Sequence, residues 1–170
     1  MGYKVESDFN HCGLRCVVIA LDRGHRCGYV GVDRNHPLYG KSYSENISVK
    51  ESVINREFNG DKVGVINLFC SKFSDIKNNT IELVLAFDVH GGITYSDGKD
   101  EYPVISNLWW FGFDCAHYND APDFSIMRDD LKDFERKYPN PGIVRTNEYV
   151  TKECMSLAEQ LSAFKGDASE

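Results

Sequence analysis

The sequence predicts an α+β domain, with a mostly antiparallel sheet followed by two C-terminal helices packed on one face. Three observations lead there. Short β-branched and aromatic runs, separated by Gly, Asn and Asp turns, fill 12–120. From 123 to 165 the apolar residues switch to the three-and-four spacing of amphipathic helices. No repeat or low-complexity tract divides the chain, so 1–170 reads as one domain with a frayed tail at 166–170.

Leu14–Leu21 is a β-branched run, Asp22-Arg23-Gly24 is turn chemistry, and His25–Val32 is the partner strand of a hairpin. Asp33–Tyr43 carries Asn35, Pro37 and Gly40 and reads as loop. Glu45–Asp61 is polar and poorly periodic, and no element is assigned to it. Lys62–Phe69 reads as a strand and Lys77-Asn78-Asn79 as a turn. Ile81–Val89 is the clearest strand of the middle, continuing towards Tyr95, and Leu108–Ala116 is the next. Met127, Leu131, Phe134 and Tyr138 make a helical stripe that Pro139-Asn-Pro-Gly142 ends. Thr146 or Asn147 caps a second helix, whose apolar face is Val150, Cys154, Leu157, Ala158, Leu161 and Phe164.

At 170 residues with 42% hydrophobic content, the chain can bury a substantial core. Its net charge is -7 and Lys and Arg are not clustered, which argues against broad nucleic-acid binding. No apolar run reaches the roughly 20 residues needed to span a bilayer, and the first residues lack a leader's apolar core. A cytoplasmic protein with no membrane partner is expected. The six cysteines include no Cys-x-x-Cys pair and read as reduced thiols.

The richest stretch is Leu108–Asp120, an aromatic run ending in Asp114, Cys115, His117 and Asp120. Alternation puts Trp109, Phe111, Phe113 and Cys115 on a core face and Trp110, Gly112 and Asp114 on the other. The earlier strand repeats the pattern with His90, Gly92 and Thr94. Glycine in a strand centre signals close approach by a ligand or another backbone. Aligned as neighbours, the two strands make a cup with a glycine floor, a Trp110 wall and polar groups from Asp88, His90 and Asp114. His117, Tyr118 and Asp120 follow at its rim, and Tyr29 and His36 line a second aromatic-glycine patch. A bulge at Gly91 would swap the faces beyond it.

Each candidate has a plainer reading. His90-Gly91-Gly92 is also a turn between strands, and Asp114 is also a strand-end Asx-turn. Asp114, His117 and Asp120 recur at steps of three and suit a divalent metal, the alternative to having no cofactor. Cys115 reads as a buried thiol. His11, Cys12, Cys16, His25 and Cys27 crowd the first hairpin in the manner of soft zinc ligands, but Cys16 and Cys27 sit inside strand patterns and read as core. Arg145 and Tyr149 read as a solvated helix start rather than an anion site.

Cys-Gly-Tyr-Val-Gly-Val (27–32), His-Pro-Leu-Tyr-Gly (36–40), Val-His-Gly-Gly-Ile-Thr-Tyr (89–95) and Trp-Trp-Phe-Gly-Phe-Asp-Cys-Ala-His (109–117) together resemble a widespread family of small phage and prophage proteins. That resemblance covers most of the chain and carries no assigned activity. It implies a phage accessory role in the host cytoplasm, by analogy with sponges that sequester nucleotide-derived immune signals. The first expectation is a binding module, with homo-oligomerisation left open, that holds a small polar, nucleotide-like molecule. A metal-dependent hydrolase of phosphoester-type bonds is the alternative. A protein-binding inhibitor of a host factor is the third, and enzymatic activity is left open.

Overall fold

The computed structural model describes residues 2–48 and 80–166. The readings of 62–69 and 77–79 and most of 45–61 lie outside these, as do the last four residues of the tail. In chain order the elements are β1 (Tyr3–His11), β2 (Leu14–Leu21), β3 (Arg26–Val32), β4 (Asn46–Ser48), β5 (Thr80–Glu82), α1 (Leu83–Ala86), β6 (Tyr95–Asp97), β7 (Trp109–Asp114), β8 (Asp120–Ala121), α2 (Asp129–Lys137), β9 (Ile143–Val144) and α3 (Asn147–Ala163). The main sheet runs β1-β2-β3-β7-β6 and every pairing in it is antiparallel. The fold is α+β, as the sequence predicts.

Both faces of this sheet are covered. On one, Cys16, Val18, Val30, Val32, Phe111 and Phe113 meet the apolar side of α3 through Val150, Cys154, Leu157, Ala158 and Leu161, all close to fully buried. Each leucine so buried contributes about 1.5–3 kcal/mol. The α3 stripe is the predicted one, and its start is the predicted cap, with Thr146 Oγ1 accepting from the Tyr149 amide. On the other face Val17, Ile19, Cys27, Tyr29 and Trp110 form a second core, closed by Tyr95, Tyr102, Val104 and Leu108.

Gly28 sits where β3 passes under α3. A Cβ there would fall 2.4 Å from the Phe113 ring and 2.6 Å from Cys154 Sγ. Gly28→Ala is therefore expected to destabilise the fold by about 1–3 kcal/mol, the scale of core overpacking. A urea midpoint lowered at unchanged slope would register this.

Several expectations are corrected, and one strand is added. Ile81–Val89 is not one strand, because only Thr80–Glu82 pairs, with β4, and Leu83–Ala86 then turns into α1. A continuous apolar run buried on all sides carries no periodicity that separates strand from helix. Gly91 and Gly92 both take positive φ, 70° and 78°, so His90 lies at a turn rather than in a strand. The Met127–Tyr138 stripe is only partly buried, since α2 begins at Asp129 and has no buried residue, while Phe134 and Tyr138 are exposed. Only α3 packs on the sheet in the manner expected of both helices. Finally, β1 is an edge strand that the sequence reading did not assign.

Candidate functional site

Asp120 is the centre of the candidate site. β8 pairs in parallel with β9, which brings Arg145 beside the Asp120 carboxylate. That carboxylate is 1% exposed. Its Oδ1 accepts from Arg145 Nε at 2.7 Å, and its Oδ2 accepts from the His117 amide at 3.0 Å and meets His90 Nε2 at 2.8 Å. Burial alone would raise the pKa of this acid. The hydrogen bonds from His90, Arg145 and the His117 amide outweigh that and hold it far below the usual carboxylate range.

An ionised carboxylate only accepts, so His90 carries its proton on Nε2. In neutral His90, Nδ1 is then an acceptor, and Tyr149 supplies its hydroxyl at 3.1 Å. Burial pushes the Tyr149 hydroxyl up to about 12, which keeps that proton in place at neutral pH. The His90 amide donates to Glu153 Oε2 at 2.9 Å. Tyr149 and Glu153 are one helical turn apart on α3, so the same helix that closes the core also holds His90. The Arg145 guanidinium lies over the Tyr149 ring, 4.9 Å from its centroid. Arg26, itself buried between Glu6 and Asp123, donates to the Arg145 carbonyl at 3.1 Å and fixes that backbone.

His117 lies over Gly91. A Cβ on Gly91 would come within 1.8 Å of His117 Nε2, so glycine there admits the imidazole. The His117 ring is 5.3 Å from that of His90. Its Nε2 is buried and makes no hydrogen bond, with Asp114 Oδ1 at 4.0 Å. Asp114 meanwhile accepts from Thr94 Oγ1 at 3.0 Å and from the Ala116 amide at 3.2 Å, the Asx-turn geometry of the plainer reading.

The structure brings His90, Asp114, His117, Asp120 and Thr94 into one chain of contacts, but not as the expected cup. Trp110 is fully buried in the second core and donates to Ser106 Oγ at 2.9 Å, so it is no wall for a ligand. The space over Gly112 is filled by the Tyr29 ring, 2.6 Å from where a Cβ would stand. The space over Gly92 is filled by the Val84 carbonyl at 2.7 Å. Both glycines permit close approach, by the protein itself. Tyr29 is buried, and its hydroxyl pairs with that of Tyr102 at 2.6 Å, so it belongs to the second core. His36 fastens its loop to α3, accepting from the Leu38 amide at Nδ1 and donating from Nε2 to the Leu161 carbonyl. Asp88 is exposed, and Gln160 of α3 holds its backbone.

The expected metal set does not assemble. Three of the roughly four acceptor sites of Asp120 are occupied by N–H donors. Among the described residues, Asp114, His117 and Asp120 do not gather their ligand atoms as a metal would need. Burial raises the thiol pKa of Cys27 to about 12 and lifts that of Cys115 as well, in keeping with the buried-thiol reading of Cys115.

Arg145, Tyr149 and Glu153 were the residues missed. The first two read as a solvated helix start. The available signal was Glu153, a charged residue three positions from Val150 on the buried stripe of α3. Comparison with family models, with curated proteins and with solved structures gives no match. Among the described residues no helix is long and apolar enough to cross a membrane.

Proposed function

We propose that the chain is a binding module for a small polar, nucleotide-like ligand at the corner formed by His90, Asp114, His117 and Asp120. The observation carrying this reading is His117 Nε2, a buried ring nitrogen without a hydrogen-bond partner. An unmet buried polar atom costs about 1–3 kcal/mol, and a ligand group able to bond it would recover that. Nearby stand Asp114, with Oδ1 at 4.0 Å and Thr94 bonded to its other oxygen, and the Arg145 guanidinium, bonded to Asp120 through Nε. Together they offer planar and polar edges of both signs. Tyr118, exposed and next to His117 in the chain, takes the stacking role that Trp110 cannot fill. A phage accessory role, sequestering a nucleotide-derived host signal, is the setting the sequence resemblance suggests.

The metal-dependent hydrolase ranks below this, because Asp120 is already committed to three donors. A panel of nucleotides and cyclic dinucleotides, read by thermal shift, tests the binder. A ligand at about one hundred times its Kd adds about 2.7 kcal/mol, roughly 5–10 °C for a chain of this size. His117→Ala should abolish the shift while melting normally without ligand. A flat panel with the unaltered chain would overturn the reading.

A further inference from the structure

Away from the Asp120 corner, the first hairpin and the last helix bring a different set of side chains together. His11 ends β1, Cys12 opens the turn into β2, and Glu159 projects from α3. Their ligand atoms (one imidazole nitrogen, one thiol sulfur, one carboxylate oxygen) all lie within 4.8 Å of one another. We propose that this cluster is a site for a zinc-type divalent transition metal, clipping the β1–β2 hairpin to α3.

The donor set selects the metal class. Calcium and magnesium favour oxygen ligands. A mixed nitrogen, sulfur and oxygen set suits a borderline ion such as Zn(II) or Co(II). Ligands about 2.0–2.3 Å from a tetrahedral ion stand about 3.3–3.8 Å from each other. His11 Nε2 and Glu159 Oε1 are 2.8 Å apart, so an entering ion needs them to part by only about half an ångström. The Glu159 side chain is 60% exposed and free to move that far. Three protein ligands leave the fourth position for water.

The turn holds the thiol in place. His11 pairs with Leu14, so Cys12 and Gly13 are the two loop residues, with φ of 50° and 80°. Such turns favour Asn-Gly or Asp-Gly. Cysteine at the first position is not chosen for the backbone, and its side chain is exposed. Cys16, Cys27, Cys115 and Cys154 are buried and do not compete. Binding forms a sulfur–metal bond, and the Cys12 thiol proton passes to solvent. His11 gives up its bond to Glu159, the Nε2 proton that made it passes to Nδ1 or to solvent, the freed Nε2 lone pair binds the metal, and no electron is transferred.

The test is titration of the chelator-treated full chain with Co(II), followed by Zn(II). One Co(II) per chain is expected, with thiolate-to-cobalt charge-transfer absorption that Zn(II) removes. Cys12→Ser should lose that absorption. His11→Ala and Glu159→Gln should each weaken binding about tenfold or more, at least the loss that follows removal of a mere supporting contact. Cys70→Ser, altering the one cysteine outside the described residues, should keep it. The proposal is overturned by no absorption in the unaltered chain. It is equally overturned by absorption that survives Cys12→Ser, or that persists undiminished in both His11→Ala and Glu159→Gln. Should Cys12→Ser fail to fold, the other two variants decide the outcome.

Discussion

Asp120→Asn is expected to cost about 3–5 kcal/mol of folding stability, the range for breaking a buried charge pair from one side. In a chain of this length that is roughly 6–20 °C of melting temperature. The substitution barely changes shape, so the cost is electrostatic. The native carboxylate accepts from Arg145, His90 and the His117 amide at once. An amide has one accepting oxygen and one donating nitrogen, so its NH2 must face one of those three donors. The Arg145 side chain, 14% exposed, would also lose its counter-charge. Urea denaturation gives the measurement. A loss below about 1 kcal/mol, the value of an exposed pair, would show that Asp120 is not the hub the geometry makes it.

The same residue fixes the sign of the acid response. The folded-state pKa of Asp120 lies below the unfolded value of about 3.9. Its contribution is therefore present above that pH and drains away as pH falls towards the folded value. Stability of the unaltered chain should decline from about pH 5 downward. Asp120→Asn should flatten this decline without abolishing it. Asp123 and Asp8 remain, and both are also held below their ordinary values. For Asp123, bonds from Ser125 and Arg26 outweigh burial, and for Asp8 the bond from Arg15 is the main cause.

How much of this was legible depended on whether a residue's role is local. The Leu14–Val32 hairpin and α3 announce themselves, because turn chemistry and apolar spacing are properties of adjacent residues. β1 does not. It is an edge strand whose residues are all exposed or half-buried, so no alternation marks it. The site was legible as a list and illegible as a shape. His90, Asp114, His117 and Asp120 do come together, but through α3, which supplies Tyr149 and Glu153, and β9, which leads into Arg145. Those partners lie 25 to 63 residues away along the chain, and no spacing rule reaches so far. The glycines mislead for a related reason. A missing side chain reports that something approaches closely, and it is silent on whether that is a ligand, the Tyr29 ring or the Val84 carbonyl.

Trp110 carries that distinction to an experiment. If it belongs to the core, Trp110→Ala should cost about 3–5 kcal/mol, as for other buried large aromatics cut to alanine. It is fully buried between Val17, Ile19, Tyr29 and Leu108, and its indole N–H is satisfied by Ser106. Trp110→Phe separates packing from recognition. It keeps an aromatic ring, removes the shorter of the two bonds to Ser106 Oγ (the Leu108 amide keeps the other), and should cost about 1 kcal/mol for that bond plus the lost volume. Any ligand that stabilises the unaltered chain should stabilise Trp110→Phe by the same increment, because the indole faces the second core and not the Asp120 corner. A variant that folds with near-native stability yet loses the ligand response would return Trp110 to the binding surface. Its complete burial in the second core argues that it will not, since an indole with no exposed surface offers no face to a stacked base.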